Sequence, residues 1–178
     1  MTHAALLATY RERGDTAMVR KLETAQVSME HGLSDAWMRL RDKATHRIGG
    51  GTTRDMRSVL SGVFLPVWFE RAYTLREKFA IWRGLRFSRR YLWDTVLNTA
   101  LSAQVPRLDI LVYFLTGNHD LTASPELARA LFDRIEAPMK GFYTFENSAH
   151  SPAHEEPAHA RKILREEVLR GRTDLADR

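Results

Sequence analysis

Two side chains in this sequence are of a type, and in a place, to do acid–base chemistry as a pair. Asp120 stands in Gly117-Asn118-His119-Asp120, just after the apolar run Ile110-Leu111-Val112-Tyr113-Phe114-Leu115. His150 stands in Glu146-Asn147-Ser148-Ala149-His150, just after Phe142-Tyr143-Thr144-Phe145. An unbroken apolar run with β-branched and aromatic residues reads as a strand covered on both faces. Between the two runs Ser124-Pro125 opens a helix, with Ser as N-cap and Pro at the first helical position. Leu127, Leu131 and Ile135 then repeat at helical spacing, and Ala137-Pro138 ends the helix. Strand, crossover helix, strand makes a βαβ unit with parallel strands and a right-handed crossover. Both following loops then lie on one edge of the sheet, where open α/β folds hold ligands. Neighbouring strands ~4.8 Å apart bring a carboxylate and an imidazole on those loops within hydrogen-bond reach. An aspartate on one ring nitrogen fixes the tautomer and supports the imidazolium formed when the other nitrogen takes a proton. Each residue also has a plainer reading, because Asn and Asp are favoured in turns for their local hydrogen bonds.

The elements that must carry this pair divide near Val105-Pro106. Residues 1–104 read as helices with polar connections, and 105–178 as strand, helix, strand and helix. From Ala4 to Leu22 the apolar residues suit two short amphipathic helices broken at Gly14-Asp15, with Asp15 capping the second. Ser34-Asp35 starts a helix whose apolar side is Trp37, Met38 and Leu40. Gly49-Gly50-Gly51 reads as a flexible break, and the stretch from Thr53 to Leu65 as a helix that Pro66 stops or bends. Thr74 with Glu77 three residues on is a capping box, and a further helix is expected over 90–101 with Leu92, Val96, Leu97 and Leu101 on one face. Pro157 begins a final helix with Ala160, Ile163, Leu164 and Val168 as its core stripe.

Composition narrows the function classes. The chain has 178 residues, a formal net charge of +5, 44% hydrophobic and 28% charged residues, and no cysteine. These proportions exclude disorder and low-complexity chains. The missing cysteine excludes disulfides, a thiol nucleophile and thiolate metal sites. No apolar run approaches the ~18 residues of a membrane span, and MTHAALLATYRERG turns charged too early for a secretory signal, so the expected setting is cytoplasmic.

The segment from Pro106 to Leu169 resembles the C-terminal third of an α/β-hydrolase of the proline-iminopeptidase-like group. The resemblance lies in Leu115-Thr116-Gly117-Asn118-His119-Asp120, in Phe145 through Pro152, and in Glu155-Glu156-Pro157 before the last helix. It implies an α/β fold class in which a helical cap (1–104) precedes the C-terminal βαβα part of the core (105–178). The N-terminal half of the sheet would be absent. By the same resemblance Asp120 and His150 are the Asp and His of a Ser-Asp-His triad. Yet no G-x-S-x-G nucleophile motif occurs in the chain, and Ile48-Gly49-Gly50-Gly51 lacks the His of an oxyanion loop. The expectation is therefore a partial serine hydrolase, silent alone and completed by a complementary N-terminal half. It would act on a small ester or amide, with no cofactor and no metal. Trp37, Phe69, Trp82 and Trp93 are candidate apolar walls of its substrate pocket. The alternative is a non-catalytic interaction module that keeps the hydrolase remnant as scaffold. Two parallel strands alone do not make a stable sheet, so the open edge invites a complementary chain or self-association.

Two further patterns carry less. His150, His154 and His159 have loose metal-ligand spacing, but Pro152 interrupts the first pair. The run Trp82-Arg83-Gly84-Leu85-Arg86-Phe87-Ser88-Arg89-Arg90-Tyr91-Leu92-Trp93 mixes arginines with rings, as single-stranded nucleic acid binders do. It reads more simply as an amphipathic helix with arginines in water, and nucleic acid is disfavoured as a partner.

Overall fold

The computed structural model of the chain describes residues 2–25, 27 and 34–177. Capping chemistry sets the first elements. Helix α1 (Thr2–Glu12) gives way at Gly14, whose φ of 69° makes the turn, and the Asp15 carboxylate accepts the Met18 N–H at 3.0 Å to start α2 (Thr16–Glu23). Ser34 caps α3 (Asp35–Arg47) by accepting the Trp37 N–H at 3.1 Å. Leu6, Tyr10, Met18, Leu22, Trp37, Met38 and Ala44 of these helices form one buried core. The Tyr10 hydroxyl satisfies itself there by donating to the Ala44 carbonyl at 2.9 Å.

Pro66 lies within a helical run where the sequence suggested a stop or a bend. Leu60–Phe64 is a π-helical turn that runs directly into α4 (Leu65–Phe69), so the ladder changes its spacing just before Pro66, which has no N–H to give it. The two helices expected from Thr74 and over 90–101 are one helix, α5 (Leu75–Asn98), followed by a short α6 (Leu101–Gln104). Gly84 sits inside α5 with open space where a Cβ would be, so it costs the helix about 1 kcal/mol without breaking it. Thr74 opens α5 by the expected capping box: its hydroxyl accepts the Glu77 N–H at 3.3 Å and its own N–H donates to the Glu77 carboxylate at 2.7 Å. Those bonds from the Thr74 backbone and hydroxyl hold the Glu77 carboxyl below its ordinary range.

The rest is mixed and small. Strand β1 (Val112–Gly117) pairs in parallel with β2 (Lys140–Phe145), Val112 opposite Lys140 and Gly117 opposite Phe145. The chain is thus helix-rich with a two-stranded parallel sheet, α/β in a loose sense. β1 starts two residues later than the apolar run, because Ile110 precedes the pairing and is 65% exposed. Helix α7 (Pro125–Arg134) crosses between the strands, its Ser124 cap accepting the Leu127 N–H. Alternate strand residues then face opposite ways, as a pleated strand requires. Phe114 and Phe142 stack 6.0 Å apart and meet Phe132 of α7 edge-on. Tyr113, Leu115, Tyr143 and Phe145 face the other way, against Ala160 and Ile163 of α9 (Pro157–Glu166), which follows the short α8 (Pro152–Glu155).

The sheet edge expected to be bare is partly covered by the chain's own end. Beyond a 3₁₀ turn (Val168–Arg170), the Asp177 N–H donates to the Phe142 carbonyl at 2.8 Å and its carboxylate accepts the Thr144 N–H at 2.8 Å. Under this tail the buried Tyr143 hydroxyl donates to the buried Glu167 carboxylate at 2.9 Å. Burial first, and the bond to Glu167 second, push the Tyr143 phenol well up from its ordinary value.

A phenol that holds its proton more tightly folded than unfolded stabilises the fold in full below the unfolded value, about pH 10, and loses that contribution as the pH rises above it. The urea midpoint is therefore expected to fall between pH 9 and pH 11. Tyr143→Phe should be less stable at pH 8 but show a shallower alkaline decline; an equal decline in both proteins would show that Tyr143 is not the group involved.

Candidate functional site

The strand register brings the two strand-end loops together. Asn118 donates its N–H to the Phe145 carbonyl at 2.9 Å and His119 donates to the Ser148 carbonyl at 3.0 Å. The fit is close enough to dictate a residue type: a Cβ on Gly117 would lie 1.9 Å from the Ala149 carbonyl oxygen and 2.6 Å from that of Ser148. Gly117 is thus required for space, since its φ is not in the left-handed region.

Asp120 and His150 meet across this crossing. The buried Asp120 carboxylate divides its work between its two oxygens. Oδ1 accepts the backbone N–H groups of Thr122 at 2.7 Å and Ala123 at 2.9 Å, closing the turn, while Oδ2 lies 2.8 Å from Nδ1 of His150. A carboxylate accepts, so the ring proton belongs on Nδ1 and Nε2 is left with its lone pair. The side chains are 6% exposed for Asp120 and 44% for His150, so the carboxylate is enclosed and the imidazole opens to solvent. Geometrically this is an oriented imidazole able to take up a proton at Nε2.

The loop bearing His150 is held by groups whose part the spacing of residues did not show. The Glu155 carboxylate accepts the Ala149 N–H at 2.8 Å and, on its other oxygen, the Arg54 N–H at 2.6 Å. Glu156 accepts the Asn147 N–H at 3.0 Å and the buried Ser148 hydroxyl at 2.7 Å. The triglycine stretch is a packed joint where a flexible break was expected. Gly50 accepts the Leu121 N–H at 3.2 Å and Gly51 accepts the His150 N–H at 3.3 Å. A Cβ on Gly50 would lie 2.6 Å from the Leu121 side chain, and one on Gly51 2.2 Å from the His46 ring. The signal available in the sequence was a run of glycines with no turn partner, which marks close backbone approach as readily as flexibility.

The four aromatic candidates fall into separate surroundings. Trp37 is buried in the first core, and Trp93 packs on that core from α5. Trp82 lies 5.1 Å from Phe64, while Phe69 is 73% exposed. A hollow of about 300 Å³ beside Asp120 is lined instead by Ala4, Ala5, Asn118, Leu121 and Pro125. The histidine triplet separates too, His159 packing on the Phe145 ring at 4.6 Å. No group of three or more His, Cys, Asp or Glu side chains among the described residues is placed to hold a metal ion. Among those residues no helix is long and apolar enough to cross a membrane.

No family model matches the chain, and no solved structure matches it. It is similar to a curated protein of Bacillus subtilis named probable aminopeptidase YbaC, 34% identical over 110 residues, which make up 62% of this chain and 34% of that protein. The chain thus aligns with about a third of the length of the curated relative it matches. These findings correct the resemblance drawn from the sequence. Membership of the proline-iminopeptidase-like α/β-hydrolases finds no matching family model, and the relative is named for an aminopeptidase. The reading as a partial serine hydrolase contributing to a Ser-Asp-His triad falls with it, since nothing in the comparisons supplies such a triad.

Gly117→Ala is expected to force the Ala149 carbonyl outward, lowering stability by about 1–3 kcal/mol and displacing His150 from Asp120. The wild-type Nδ1 proton of His150 should resonate at low field in nitrogen-edited NMR spectra and move upfield in Gly117→Ala, as in Asp120→Asn. An unshifted signal in Gly117→Ala would mean that the loops can separate without loosening the pair.

Proposed function

We propose that the chain carries the proton-transfer pair of a peptide-cleaving hydrolase with aminopeptidase-type activity. The observation that carries the reading is the 2.8 Å contact between an enclosed carboxylate, fixed by two backbone N–H groups, and a half-open imidazole. The similarity to a protein named as a probable aminopeptidase supports the reaction class. In this reading Nε2 of His150 takes a proton from an attacking water as its oxygen bonds to the amide carbon. The imidazolium, steadied by Asp120, returns that proton to the leaving nitrogen as the carbon–nitrogen bond breaks. Water and amide become carboxylic acid and amine, with His150 restored.

The test is release of fluorescent amine from a panel of aminoacyl-amidocoumarins by the full chain. His150→Gln is expected to lower kcat by about 10²–10⁴-fold, the range of a general base, and Asp120→Asn to lower it while leaving KM nearly unchanged. Turnover that His150→Gln leaves intact, or no turnover of any aminoacyl amide by wild type, would overturn the reading.

A further inference from the structure

A second open cleft adjoins the triglycine stretch through Gly49. It has a volume of about 600 Å³ and is lined by Lys43, His46, Arg47, Gly49, Arg54, Asp55 and Arg57. Four cations face one carboxylate there, in a chain whose whole net charge is +5. Two of the six charged or titratable groups have other work: Arg47 pairs with Asp15 at 3.1 Å, and Asp55 accepts the Thr53 hydroxyl at 2.7 Å. Lys43, Arg54 and Arg57 make no salt bridge among the described residues. The left-handed turn that ends α3 brings Gly49 against Arg54. Gly49 has a φ of 76°, and a Cβ there would meet the Arg54 carbonyl oxygen at 3.2 Å and its Nε at 3.6 Å. Like charges gathered in a concave surface repel one another and focus a positive potential that an anion relieves.

The cleft is coupled to the Asp120–His150 pair through very little chain. Gly49 lines the cleft, and Gly51, two residues on, accepts the His150 N–H at 3.3 Å while the His46 ring rests against it. Two residues of backbone span at most about 7 Å. The cleft lining therefore lies within the length of a few extended peptide residues of His150.

We propose that this cleft binds carboxylates of an acidic peptide substrate, so that the hydrolase prefers peptides with Asp or Glu beyond the cleaved bond. The proposal rests on the aminopeptidase-type reading for its substrate, but its binding arm does not need turnover. Lys43 and Arg57 are the groups to change, because Arg47 is paired with Asp15 and the Arg54 side chain packs beside Gly49.

The probe is a fluorescein-labelled Ala-Ala-Glu-Glu-Glu peptide, with Ala-Ala-Gln-Gln-Gln as its neutral partner, titrated with the full chain by anisotropy at 50 and 200 mM NaCl. The acidic peptide should bind about tenfold more tightly than the neutral one at low salt, and the advantage should shrink at high salt. Lys43→Gln/Arg57→Gln should remove most of that advantage, and His150→Gln should leave it in place. Equal binding of both peptides, or an advantage untouched in the double variant, overturns the proposal. So does displacement by inorganic phosphate of a signal that is the same for both peptides, which would make the cleft a general oxyanion site. Selective binding without hydrolysis would leave the cleft's specificity standing and strike only the reaction assigned to His150.

Discussion

The parallel register that sets Gly117 opposite Phe145 is the constraint on which the candidate site depends. It ends both strands at the same level, so the chain leaves the sheet twice at one point and the two exits must cross. Crossing is possible only because Gly117 has no side chain, leaving the Ser148 and Ala149 carbonyls free to pass over it. From that crossing follow the His119–Ser148 backbone bond, the position of His150 above Asp120, and the seating of Gly50 and Gly51 against both loops. A shift of register by one residue would turn every strand side chain to the other face and draw the exits apart.

A carboxylate enclosed as Asp120 is costs several kcal/mol unless its oxygens are met. Here they are met by different partners with different mobility. Oδ1 is tied to Thr122 and Ala123, whose backbone belongs to the turn itself, so the carboxylate cannot rotate away. Oδ2 then presents a fixed acceptor to an imidazole that is otherwise open to water. Turn formation and imidazole orientation thus compete for nothing. Glu155 and Glu156 hold the opposite loop by the same device, carboxylates accepting backbone N–H groups, so three acidic side chains fix the crossing.

The parts of this fold that were legible in the sequence are those governed within four residues. Asp15, Ser34, Thr74 and Ser124 each cap the helix that their position announced, because an N-cap bond joins a side chain to a backbone group two or three residues on. The approach of Asp120 to His150 was legible as well, since a βαβ unit fixes which loops share an edge. The triglycine joint was not, because its cause is Leu121 and His46, brought there only by tertiary packing. Nor was the continuity of α5, where the weak cost of one glycine is set against a long run of good helix formers. The surroundings of the aromatic candidates were not legible for a related reason: which neighbours a ring meets, and whether it is buried like Trp37 or exposed like Phe69, is decided by the whole fold.

A two-stranded parallel sheet is small for the strands it contains, and the structure shows how far the chain meets the shortfall itself. Each face has one helix, α7 against the phenylalanines and α9 against the tyrosines, and the tail at Asp177 satisfies part of the β2 edge. The covering is thinnest at the start of β1, where Ile110 stands exposed, and thickest at the strand ends, where the loops lock and Phe145 is fully buried. Rigidity is therefore concentrated at the end of the sheet that carries Asp120 and His150. An acid–base pair needs its geometry held to fractions of an ångström, and in this chain the close-packed glycines and the carboxylate-to-backbone bonds meet that demand together with the buried Phe145 and Ala149.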